Sequence, residues 1–150
     1  MLSKAVVCSA LVALATVSAA TQSAAQSAAS TARIVAGGEL KWVDVPDTPA
    51  KMATVKGDAA KGPHASFIKL PAGFSAPLHS HSADHDVVVV AGTLTMTPEG
   101  GAAKKLGPGS WFEFTGKKKH VTTCDAGADC VLFIAAKAAW DLVPAEAPKK

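Results

Sequence analysis

The chain has 150 residues, of which 49% are hydrophobic and 18% charged, with 15 Lys and Arg against 12 Asp and Glu. That length allows one domain with a real core and no second one. A formal charge of +3 is no nucleic-acid signature, and the lack of tyrosine removes one common acid–base group.

Residues 1–25 read as a signal peptide: Lys4 supplies a positive start, Ala5 to Ala15 an apolar run, and Val17-Ser18-Ala19 or Ser23-Ala24-Ala25 a small-residue cleavage site. A retained membrane anchor is the competing reading, but the apolar run falls short of the roughly 20 residues that span a bilayer. Cys8 follows Val7 and stands too early for a lipoprotein site. Removing residues 1–25 takes one Lys and no acid, which leaves +2. The expected location is periplasmic or secreted, and residues 26–39 read as a flexible leader without periodicity.

From Leu40 the text becomes short apolar segments broken by Pro and Gly: LKWVDV, MATVKG, HASFIKL, then TLTM, Lys105-Leu106, WFEF, HVTT, CVLFIAA and a closing AAWDLV. This rhythm predicts an all-β sandwich or barrel of about ten strands over 40–143, with no helix longer than about two turns and a tail at 144–150. His64, at the head of HASFIKL, is expected to be an exposed or hydrogen-bonded strand end. Trp42, Trp111 and Trp140 are expected to pack in the core or at its rim.

Within this body the stretch GFSAPLHSHSADHDVVVVAG, Gly73 to Gly92, concentrates three of the five histidines. In an extended strand alternate side chains share a face, so His79 and His81 point the same way in a chelating arrangement. His85 and Asp86 then lead into four valines, a composition that suits a strand buried on two sides or facing an interior. Burying several imidazoles without partners costs roughly 1 to 3 kcal/mol for each unsatisfied group, and a coordinated metal removes that cost. A surface His-x-His in a loop is the plainer alternative.

Downstream, Lys117-Lys118-Lys119 precedes His120, with Lys104-Lys105 in the preceding hairpin. A charge run on a turn is ordinarily solvated; its functional reading is a lysine at a pocket mouth that draws in an anion. Cys124 and Cys130 flank a Gly-containing turn and are expected to bond across a hairpin in an exported chain. Two free thiols as metal ligands are the alternative.

The spacing Gly73, five residues, His79-x-His81, three residues, His85, six residues, Gly92 resembles the first motif of the cupin superfamily, G(x)5HxH(x)3-4E(x)6G. His85 stands where cupins usually carry Glu. The second motif, G(x)5PxG(x)2H(x)3N, is matched only at Gly109 and His120, with Cys124 at its final Asn. The resemblance implies one cupin domain, a double-stranded β-helix or jelly-roll barrel, and a divalent transition metal (Fe, Mn, Zn, Ni or Cu) held by His79, His81 and His120. His85, Asp86 or a water completes the set, and the spacing to Gly92 favours His85. The pocket is expected between Val87 to Val90 and Phe112 or Phe114.

Two function classes follow. One is a metal-dependent enzyme such as a dioxygenase, isomerase or decarboxylase acting on a small molecule, anionic if the lysines serve it. The other is a non-catalytic ligand- or metal-binding module, similar to the ChrR-like cupin domains attached to some anti-sigma factors. The chain resembles short exported bacterial cupins, and a protein that merely keeps the fold is the third class. Asp86, Glu113 and Lys119 are the candidates for a further polar group in the pocket. The expected partner is a small-molecule ligand or substrate, with no nucleic acid and no membrane after leader cleavage, and a homodimer stays open.

Overall fold

The computed structural model describes residues 32–145. The signal peptide expected over 1–25, the start of the leader and the last residues of the tail lie outside the described residues. Of the leader, 32–39 is exposed and carries the short 3-10 helix Gly37–Glu39, whose Glu39 carboxylate accepts a hydrogen bond from the Ala36 N–H.

Eleven strands follow: β1 (Val43–Asp44), β2 (Lys51–Gly57), β3 (His64–Leu70), β4 (Ser75–Ser80), β5 (His85–Ala91), β6 (Leu94–Pro98), β7 (Lys104–Leu106), β8 (Trp111–Phe114), β9 (His120–Cys124), β10 (Cys130–Ala136) and β11 (Val143–Pro144). They form two antiparallel sheets, a six-stranded one in the order β1-β2-β3-β10-β5-β8 and a five-stranded one in the order β11-β4-β9-β6-β7. This is the all-β, cupin-like jelly roll that the strand rhythm and the motifs implied. It is not closed as a barrel: no ladder joins the two sheets among the described residues.

Period-two patterning decides which side of each strand is dry. HASFIKL and CVLFIAA alternate buried and half-buried without a break, so Ile68, Leu70, Leu132 and Ile134 point inward. From the facing sheet come Leu94, Met96, Leu106 and Cys124, and these residues form one core cluster. β10 lies between β3 and β5, in register from Cys130↔Leu70 to Ala136↔His64 on one flank. A central strand buries most of its backbone, which is why its sequence is apolar on both faces.

The valine run divides as a strand in one sheet must. Val87 and Val89 point inward and are buried, whereas Val88 is half-buried and Val90 exposed on the outer face. Only Val87 reaches the cavity described below. The closing AAWDLV is not a strand: Val143 alone of its residues pairs, through β11 on β4. The rest is an irregular segment tied by Lys137 N–H to Asp84 O and Trp140 N–H to Ala59 O.

Cys124 and Cys130 form a disulfide with their Cα atoms 5.7 Å apart, and each is fully buried. The bond is the expected one, but not across a hairpin: β9 and β10 belong to different sheets, so it closes their connection and ties one sheet to the other. Gly92 packs against it. A Cβ there would lie 2.7 Å from Asp129 O and 2.9 Å from Cys130 Sγ, and its φ of +77° already favours glycine.

Candidate metal centre

The site begins with a register. β4 pairs β9 so that His79 stands directly opposite His120, after a bulge between Ala76 and His79. Opposed side chains in an antiparallel pair are neighbours, and His81 follows two residues after His79 on the same side. One local spacing and one cross-strand pairing therefore bring three imidazoles together. His79, His81 and His120 are all buried, and each offers one ring nitrogen within 4.8 Å of the others'.

Their tautomers are set by the backbone. Nδ1 of His79 donates to Pro77 O at 2.7 Å, that of His120 to Lys118 O at 3.0 Å, and that of His81 to Asp141 O at 2.5 Å. A carbonyl only accepts, so each Nδ1 carries the proton and each Nε2 keeps its lone pair. This is the arrangement by which metal-binding histidines are usually oriented. Aromatic neighbours fix the ring planes: Phe114 stacks on His120 at 4.0 Å and Trp140 on His81 at 4.0 Å.

Burial is the main cause of the electrostatics. It pushes His81 down to about 3 and His120 down to about 4, and lowers His79 as well. The carbonyl hydrogen bonds pull back against this, and neighbouring imidazoles add to the lowering of His81 and His120. The three rings are thus neutral at pH 7, the state in which imidazole binds a metal. Three neutral nitrogens on a buried wall fit a divalent transition ion.

His85 opens β5 on the facing sheet. It is buried, lowered by burial in the same way, and its Nδ1 donates to Ala83 O at 2.9 Å. Its ring centroid is 4.9 Å from that of His81 and 6.5 Å from that of His120, and it stands beside the three-histidine group, not within it. Asp86, one residue on, faces the opposite side of β5 across from Glu113. Neither acid lines the cavity, because Phe112 and Phe114 take the inward positions of β8. Lys119 pairs instead with Glu99 at 3.5 Å, and none of Lys117, Lys118 and Lys119 lines the cavity.

The cavity, about 400 Å³ between the two sheets, is walled by the four histidines together with Val87, Phe112, Leu132, Ile134 and Trp140. His64 is outside it. It is the hydrogen-bonded strand end of the two expected forms, though buried: its Nδ1 is 3.1 Å from Gly62 O, its Nε2 has no partner among the described residues, and its ring meets Trp140 edge-on. Sequence reasoning missed Trp140 and Asp141. Asp141 supplies the carbonyl to His81 and a carboxylate oxygen to the Ser82 N–H at 2.7 Å. No motif marks them, and a lone Trp-Asp in the closing segment was the sole signal.

A family model described as "Domain of unknown function (DUF4437)" matches residues 16–143. No functionally curated protein matches the chain. Among solved structures, the polyketide cyclase RemF from Streptomyces resistomycificus is 16% identical, covering 79% of this chain and 89% of its own, with a TM-score of 0.66. The DMSP lyase DddQ from Ruegeria pomeroyi is 18% identical over 76% of this chain and 65% of its own, at 0.61. An RmlC-like cupin from Shewanella frigidimarina is 18% identical over 72% and 93%, at 0.57. Two antiparallel sheets, motif histidines gathered on their inner side and these likenesses agree on a cupin fold, and the chain belongs to the DUF4437 family.

Proposed function

We propose that the protein is an exported, metal-dependent enzyme that acts on a small molecule at the His79, His81 and His120 centre. One observation carries this reading: three neutral imidazoles, each with its Nδ1 held by a backbone carbonyl, present their free nitrogens to a cavity large enough for a substrate. A divalent ion bound there supplies Lewis-acid polarisation of a coordinated oxygen. The carbonyls of Pro77, Lys118 and Asp141 orient the three rings that would hold such an ion, and Phe112, Phe114 and Trp140 exclude water around them. His85 brings a fourth bare nitrogen, as a ligand or as the group that holds a proton beside the substrate. The cyclase and lyase names among the similar structures support an enzyme, and the disulfide supports export.

A non-catalytic binding module is the second reading. It is favoured by the scarcity of acid–base groups in the cavity wall, where Asp47 is the one carboxylate among the described residues. Metal analysis of protein purified from its native compartment tests the shared premise. One equivalent of a transition metal is expected, retained by His64→Ala, lost in His120→Ala and weakened in His85→Ala. Full stoichiometry in His120→Ala overturns the assignment. Ligand turnover by the loaded protein, against stoichiometric retention of unchanged ligand, separates enzyme from module.

A further inference from the structure

The cavity is chemically one-sided. Among the described residues no lysine or arginine lines it, and the one carboxylate, Asp47, is exposed on the turn between Val45 and Ala50. Beyond the histidines the wall is hydrocarbon, with Ile68, Leu132 and Ile134 of one sheet opposite Met96 of the other. Even the Thr122 hydroxyl is directed at a thioether, Met96 Sδ, at 3.8 Å. The lysines that an anionic substrate needs border a separate groove with Glu99 and Glu113.

We infer that the ligand is an apolar body, aromatic or branched, that carries a single metal-coordinating oxygen group and no second charge. A phosphate or second carboxylate placed in this cavity has no cation to meet, and a buried charge without a partner is strongly disfavoured. A polyol leaves several hydroxyls without hydrogen-bond partners, which selects against it for the same reason. The head group rests on the metal reading above, whereas the apolar body rests on the cavity wall alone.

Two probe series separate these. On zinc-loaded protein, calorimetry compares 4-phenylbutyrohydroxamate, acetohydroxamate and gluconohydroxamate, which share one chelating head. On metal-free protein, ligand-observed NMR compares 4-phenylbutyramide with gluconamide, which lack it. The phenylbutyl member is expected to bind at least about 30-fold more tightly than its glucono counterpart in each series. If the protein takes up no zinc but the amides keep this order, the metal reading and the head group fall and the apolar body stands. Equal affinities within the amide pair, or a preference for the glucono probes, overturn the ligand class.

The outer face of the six-stranded sheet carries an independent observation. Phe67, Phe133, Val88 and Trp111 are successive register partners across four strands and form an apolar row that ends on the 56% exposed Trp111. At one corner of this face Lys51 is opposite Lys69, and at the diagonal corner Asp86 is opposite Glu113. Like charges directly opposite are unfavourable within a sheet. Asp44 answers Lys51, and Lys69 lies 4.9 Å from the Trp42 ring centroid, whereas Asp86 and Glu113 form no ion pair among the described residues.

We propose that a second copy of this chain covers the face. A two-fold axis in the plane of contact, perpendicular to the charge diagonal, sets each copy's acids against the other's lysines and the apolar row against itself. Sedimentation equilibrium of the full chain is expected to show a dimer. Trp111→Glu should make it monomeric, Glu113→Lys should weaken it at least about 10-fold, and Lys69→Glu added to Glu113→Lys should restore it. A monomeric native chain, or variants that associate unchanged, overturns the proposal.

Discussion

At the scale of single residues, the buried histidines link the site to pH. Their folded values lie below the ordinary 6.5, at about 3 for His81 and about 4 for His120, chiefly because burial penalises the charged ring. Between those values and 6.5 the unfolded chain binds more protons than the native one, so stability must fall as pH falls. For metal-free protein it is fully present above about pH 6.5 and is lost progressively towards about pH 3, the folded value of His81. Thermal melts at stepped pH check this, and His81→Phe should flatten the slope. The motif glycines offer a second test. Gly92 and Gly109 have φ of +77° and +85°, but a Cβ at Gly109 meets nothing within 4 Å, while one at Gly92 strikes Asp129 and Cys130. Gly109→Ala should cost about 1 to 2 kcal/mol of folding stability from the backbone alone, and Gly92→Ala clearly more. Spacing marks both glycines alike in the sequence; the backbone and sulfur crowding against Gly92 belongs to a strand 38 residues away and was not legible.

At the scale of elements, what was legible was what repeats. HASFIKL, HVTT and CVLFIAA became β3, β9 and β10 because unbroken alternation has one good solution, a strand with one side in the core. AAWDLV has no alternation to read, and its conformation is dictated by hydrogen bonds to Asp84, Ala59 and Ser82, which only the folded chain supplies. The Asp141 carboxylate holds Ser82 and so positions the carbonyl that orients His81. Asp141→Ala is expected to lower metal affinity about 10-fold with little loss of fold, while Asp141→Asn, which keeps an acceptor, should recover most of it. Metal titration of the two variants decides. At the other end of β9, reduction of Cys124–Cys130 frees a short loop, and the chain-entropy estimate gives a loss of about 2 kcal/mol. Denaturant unfolding with and without reductant measures it.

At the scale of the whole molecule, the three-histidine group belongs to the β4–β9 side, while His85 stands on the six-stranded sheet. An ion that engages His85 as well therefore ties one sheet to the other. Metal at 100 times its dissociation constant should stabilise the fold by about 2.7 kcal/mol, seen as a rise in melting temperature, and His85→Ala should reduce that rise. The cupin architecture was readable from two spaced motifs. The chemistry of the cavity was not, because its wall is assembled from alternate residues of strands far apart in sequence, and the lysines next to His120 turned out to face away from it.

The stack of Trp140 on His81 has an optical consequence. Without tyrosine, the protein's near-ultraviolet emission comes from its three tryptophans, and only Trp140 has its indole against a candidate ligand ring, with centroids 4.0 Å apart. Trp42 rests under Lys69 and Trp111 is on the outer face, so neither touches the histidines. Nickel or copper entering the site should extinguish about a third of the emission, Trp140→Phe should abolish that response while metal still binds, and the molecule then reports its own occupancy without any added label.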